Sequence, residues 1–103
     1  MKADEQMRLL DNLQSLLEKQ IETARKGDFR RVEILVEQAC PVVEKIVRTK
    51  AFERPEFECQ RVHLGKLYKK LELMLAAGKD SVARQMKQVG NVRKTLKAYR
   101  NNG

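Results

Sequence analysis

Phe29, Val32, Val36, Ala39, Val43 and Ile46 follow one another at intervals of three, four, three, four and three residues. That spacing keeps apolar side chains on one face of an α-helix, whereas on a strand it would scatter them over both faces. Residues 28–50 are therefore expected to form a helix with one side to bury, and Leu35, Val42 and Val47 widen the stripe. Pro41 falls inside the pattern. It removes the N–H that would bond the carbonyl of Glu37, so a kink is expected near residues 37–41.

A single amphipathic helix cannot bury its own stripe, and the rest of the chain supplies neighbours. Leu10, Leu13, Leu17, Ile21 and Ala24 mark a first helix over about residues 3–26. It ends at "KGDF", where Gly27 suits a left-handed C-terminal cap and Asp28 suits the N-cap of the next helix. After the connection "AFERPEF", with Pro55 placed for a first helical turn, Leu64, Leu67, Leu71 and Met74 mark a third helix over about 55–77. Tyr68 and Leu75 give that helix a second apolar edge. Val82, Met86, Val89, Val92, Leu96 and Tyr99 mark a fourth over about 80–100. Gly78 is the natural break between the last two, although one interior glycine costs only about 1 kcal/mol and a helix could run through it. An offset of fifty residues aligns Leu17 with Leu67, Ile21 with Leu71 and Ile46 with Leu96, which suggests two similar αα-hairpins. The expected fold is all-α: an antiparallel bundle of three to four helices in one domain.

With 103 residues, the chain has room for a modest core and little room for an elaborate cleft as well. No apolar run approaches the roughly 20 residues of a membrane span, and "MKADEQMRLL" has no apolar segment behind its lysine, so a cytoplasmic protein is expected, without membrane insertion. Cys40 and Cys59 would lie at different levels of neighbouring helices, about 10 Å apart along the axis, and are expected to be two reduced thiols.

The net charge of +8 is unevenly distributed. Residues 1–60 hold eleven Lys/Arg against twelve Asp/Glu, whereas residues 61–103 hold eleven Lys/Arg against Glu72 and Asp80 alone. Lys79, Arg84, Lys87, Arg93, Lys94, Lys97 and Arg100 form a basic face on the last helix, around the apolar stripe of "VRKTLKAYRNNG". Such a face suits nucleic acid, an acidic surface or plain solvation. Single-strand recognition ordinarily adds stacking aromatics, and Tyr99 is the one at hand.

Catalysis has little to work with. The single histidine, His63, has no second histidine for a metal site, and the glycines at 27, 65, 78, 90 and 103 form no phosphate loop. No enzyme, metal or cofactor is expected.

The hairpin segment "KGDFRRVEILVEQ" and the closing "QMKQVGNVRKTLKAYRNNG" resemble the small export chaperones of the bacterial flagellum. The close is most similar to the FliT group, and the spacing of the first hairpin is similar to the FlgN group. The resemblance implies a chaperone for type III secretion in flagellar assembly. Such a protein binds the amphipathic terminal segment of a filament cap or hook–filament junction protein, keeps it unassembled and delivers it to components of the export apparatus. It further implies that Leu67, Leu71, Met74, Val82, Met86, Val89, Leu96 and Tyr99 line the site for the client helix. Leucine and methionine suit that role, because they give an adaptable surface to anchors spaced i, i+3, i+4, i+7. The client and the oligomeric state, a homodimer included, stay open, and the alternative is a basic helical bundle that binds nucleic acid or regulates.

Overall fold

The computed structural model describes the backbone of residues 2–77 and 83–102, and the side chains of 2–77 and 87–98. Four α-helices lie in the described residues: α1 (Ala3–Arg25), α2 (Phe29–Arg48), α3 (Glu58–Ala76) and α4 (Ala83–Asn102). They form a bundle of 39 × 24 × 18 Å. No helix among the described residues is long and apolar enough to cross a membrane.

The turn between α1 and α2 follows directly from "KGD". Gly27 takes φ +81°, the left-handed conformation that suits a residue without Cβ. Its N–H bonds the Ala24 carbonyl at 3.0 Å and the Asp28 N–H bonds the Thr23 carbonyl at 3.2 Å, the two bonds of a Schellman cap. Asp28 then caps α2, accepting from the Arg31 N–H at 3.2 Å. The α1/α2 hairpin is antiparallel along its length: Gln20 Nε2 donates to the Leu35 carbonyl at 3.3 Å and Gln6 Nε2 to the Thr49 carbonyl at 3.0 Å. Pro41 is exposed and α2 continues through it.

The segment after α2 is more structured than its sequence suggests. Lys50 adopts φ +61°, the left-handed position that glycine usually takes after a helix. Two short 3-10 turns follow, Ala51–Glu53 and Pro55–Phe57, so Pro55 opens a 3-10 turn and α3 starts three residues later, at Glu58. Ala51, Phe52 and Phe57 are buried, which makes this connection part of the core. Arg54 ties it to α1: its Nη1 donates to Gln6 Oε1 at 2.8 Å and its Nη2 to Glu56 Oε2 at 2.8 Å.

Gln60 donates to Asp11 Oδ1 at 2.8 Å, so α3 rises beside α1 in the same direction. Glu72 meets Arg93 while Leu96 lies near Arg61 and Gly65, so α4 descends antiparallel to α3. In cross-section the helices stand in the order α2, α1, α3, α4, with α2 and α3 on a diagonal. Among the described residues the α1–α2 and α3–α4 sides are the most extensively packed, the α1–α3 side less so, and the α2–α4 side only lightly.

The core is the one the spacing implied for the first hairpin. Leu10, Leu13, Leu17, Ile21 and Ala24 of α1 are buried, as are Val32, Val36, Ala39 and Ile46 of α2, while Phe29 and Val43 are partly buried. On α3 the order of the two apolar edges is reversed. Leu64, Tyr68, Leu71 and Leu75 are buried, whereas Leu67 and Met74 pack at the margin. Facing α1 and α4 on two sides turns the Tyr68–Leu75 edge inward.

Candidate functional site

The lightly packed α2–α4 side is one candidate. Between the two helices lies a hollow of about 210 Å³, walled by Val36, Ala39 and Val43 of α2 and by Val89 and Val92 of α4, with Tyr68 and Gln20 at its floor. Cys40 and Glu44 of α2 and Gln88 and Asn91 of α4 complete its lining. Gln20 is buried, with its Nε2 committed to the Leu35 carbonyl, so it adds polarity at one point only. Cys40 donates to the Val36 carbonyl at 3.4 Å and is a free thiol, as is Cys59. Burial pushes the Cys40 thiol above its ordinary value, and the carboxylates of Glu44 and then Glu37 push it the same way. Burial likewise raises the Tyr68 phenol, with a smaller contribution from Cys40. Both groups are therefore neutral near pH 7, and the seam is an apolar surface with no nucleophile poised for reaction.

The second candidate lies between α3 and α4, a groove of about 520 Å³. Arg61, Lys66 and Lys69 line it from α3, and Arg93 and Lys97 from α4. Val62, Gly65 and Leu96 complete the walls. Arg93 is engaged, donating from Nε to Glu72 Oε2 at 2.7 Å and from Nη2 to Glu72 Oε1 at 3.4 Å. Gly90 faces this carboxylate: a Cβ there would sit 3.8 Å from Glu72 Oε2, in ordinary contact.

The residues singled out from the sequence are divided among three environments. Leu71 and Leu96 are buried, Leu67 and Met74 pack at the core margin, and Val89, also buried, is the one that borders the α2–α4 seam. Leu71 has no exposed surface to offer a client helix, and Leu96 shows only an edge, in the wall of the α3–α4 groove. Of the basic face, Arg93 and Lys97 line the α3–α4 groove, while Lys87 and Lys94 are exposed outside it. Val82 and Lys79, and the side chains of Met86, Tyr99, Arg84 and Arg100, lie outside the described residues.

Sequence reasoning missed Tyr68, Gln20 and Cys40 in the seam, and Arg61, Gly65, Lys66 and Lys69 in the groove. A signal for the second set was available. Arg61, Gly65 and Lys69 are spaced by four and Lys66 and Lys69 by three, which puts them on one side of α3. Among the described residues no group of three or more His, Cys, Asp or Glu is placed to hold a metal ion. No protein-family model, curated protein or solved structure matches this chain.

Proposed function

We propose that this four-helix bundle is a chaperone that receives an amphipathic helix of a partner protein along the α2–α4 seam. The observation that carries the reading is the bundle's uneven closure: among the described residues the α2–α4 side is the most lightly packed of the four, and it leaves a largely apolar hollow walled by Val36, Ala39, Val43, Val89 and Val92. A helix whose apolar side chains recur at i, i+3, i+4 and i+7 can set its anchors into such a seam, and the valines present methyl groups to them. Together with the resemblance of "KGDFRRVEILVEQ" and the basic close, this supports a flagellar client: the terminal segment of a filament cap or hook–filament junction subunit, held unassembled in the cytoplasm until it reaches the export apparatus. The basic second half favours a client helix with acidic residues on its solvent side.

The test is co-purification of the full chain with such terminal segments, alongside the Val43→Glu variant. Val43 is half-buried at the seam, so a carboxylate there faces the client anchors and remains near solvent. Capture of a client by the natural chain and its loss in a folded Val43→Glu protein is the expected result. Failure to capture any flagellar segment, with steeply salt-dependent binding to generic RNA or DNA instead, sinks the chaperone reading in favour of nucleic acid.

A further inference from the structure

The α3–α4 groove holds a buried cation whose charge the fold leaves without a counter-ion among the described residues. Arg61 is only 6% exposed. Its Nη1 donates to the carbonyl of Phe52. Its Nε is buried without a hydrogen-bond partner. Among the described residues no carboxylate lies within ion-pair distance of it, nor of Lys66, Lys69 or Lys97. Glu72, which flanks the groove, is taken by Arg93. A desolvated guanidinium without a counter-charge is unfavourable, and an anion supplied from outside removes that cost. Exposed lysines alone are the ordinary dress of a soluble helix; a buried arginine fixed at one end by a backbone carbonyl is a directed donor.

Gly65 points the same way. It sits in the middle of α3, where glycine weakens a helix, yet a Cβ placed on it would meet nothing within 4 Å. Packing therefore does not require the glycine, and its effect is to keep the groove wall low between Arg61 and Lys69. The volume falls within the range of small-ligand pockets. Among the described residues no aromatic side chain lines it, so those residues offer charge and hydrogen-bond donors rather than a stacking platform.

We propose that this groove binds a compact ligand carrying clustered phosphate groups, held by Arg61, Lys66, Lys69 and Lys97 through charge-assisted hydrogen bonds. Two or three phosphates on a small framework match four cations that line one groove from two helices. The same chemistry is offered by a soluble polyphosphate ester and by a polyphosphorylated lipid headgroup. This inference does not depend on the chaperone reading, which concerns the seam between α2 and α4.

The experiment is calorimetric titration of the full chain with inorganic tripolyphosphate at physiological ionic strength. One-to-one binding is expected, weakened about a hundredfold in Lys66→Gln/Lys69→Gln, since two charged hydrogen bonds are lost and each accounts for about tenfold. Gly65→Leu, which fills the groove and removes the glycine's penalty on the helix, is expected to weaken binding similarly without lowering the thermal midpoint. A charge-matched control away from the groove, Lys19→Gln/Arg30→Gln, is expected to bind as the natural chain does. A soluble inositol trisphosphate is compared with vesicles of phosphatidylcholine carrying phosphatidylinositol bisphosphate. Tighter binding to the vesicles assigns the lipid source, and tighter binding to the soluble ester assigns the free ligand. Equal losses in the control and groove variants overturn the proposal, as does preference for an acidic peptide or an oligonucleotide over tripolyphosphate.

Discussion

Arg93 and Glu72 join α3 to α4 through a two-point contact, with Nε to Oε2 at 2.7 Å and Nη2 to Oε1 at 3.4 Å, while both side chains remain about 30% exposed. The pair fixes the register of the second hairpin in the way that Gln20 and Gln6 fix the first, but with charge in place of amides. Because Glu72 is one of two acids in residues 61–103, it is also the main local counterweight to the basic groove.

Glu72→Ala is therefore expected to lower stability by about 1 kcal/mol, the upper part of the range for partly exposed pairs with good geometry. Chemical denaturation at low and at high salt checks this, because the deficit should shrink as salt screens the pair. The same variant frees Arg93 towards the groove, so it should bind tripolyphosphate more tightly than the natural chain does.

Pro41→Ala should stabilise the protein. Alanine restores an N–H opposite the Glu37 carbonyl, and because Pro41 is exposed, the replacement removes no buried contact. A gain of about 1 to 3 kcal/mol follows from the helix-propensity difference. A loss in the thermal melt would mean that α2 needs a bend at this point to pack against α1.

Much of the first hairpin could be read from residue spacing because every signal there is local. The three-four stripe, the "KGD" cap and the five buried apolar positions of α1 each depend on residues within a turn or two of one another. What could not be read is set by distant partners. Whether Leu67 or Tyr68 faces inward on α3 depends on where α1 and α4 stand, and the sequence offered both edges. Phe52 and Phe57 are buried in a connection without periodicity, and Arg61 is buried because Phe52 places a carbonyl within its reach. The seam follows from the order of helices around the bundle, and local spacing holds no information about that order.

Stability should fall at alkaline pH. Tyr68 and Cys40 both have folded-state values above their ordinary ones of 10.0 and 9.0, chiefly because burial disfavours the charged form. Above those ordinary values the unfolded chain releases the protons while the folded chain keeps them, so stability present below about pH 9 is lost as pH rises. Denaturation midpoints between pH 8 and 11 should show the decline, and Tyr68→Phe should flatten the part above pH 10. An unchanged slope in that variant would place the phenol in water.

The C-terminal helix is the place where core and lid make opposite predictions. Val89 and Leu96 are 1% and 3% exposed, and Val92 packs against the same cluster, so α4 covers one flank of α3 as a member of the core. Leu96→Ala is then expected to cost about 2 to 5 kcal/mol, the range for emptying a leucine site that cannot collapse. Truncation after Gly90 removes Val92 and Leu96 together and should uncover apolar surface on α3. The expected product keeps much of its helical circular dichroism, melts without cooperativity and binds a hydrophobic dye. If α4 were instead a displaceable lid, the truncated chain would melt sharply and bind a client helix more tightly, because no closed state would compete. Comparing the melt of the truncated chain with that of Leu96→Ala separates the two: a sharp melt for the first and a loss under 1 kcal/mol for the second would remove α4 from the core.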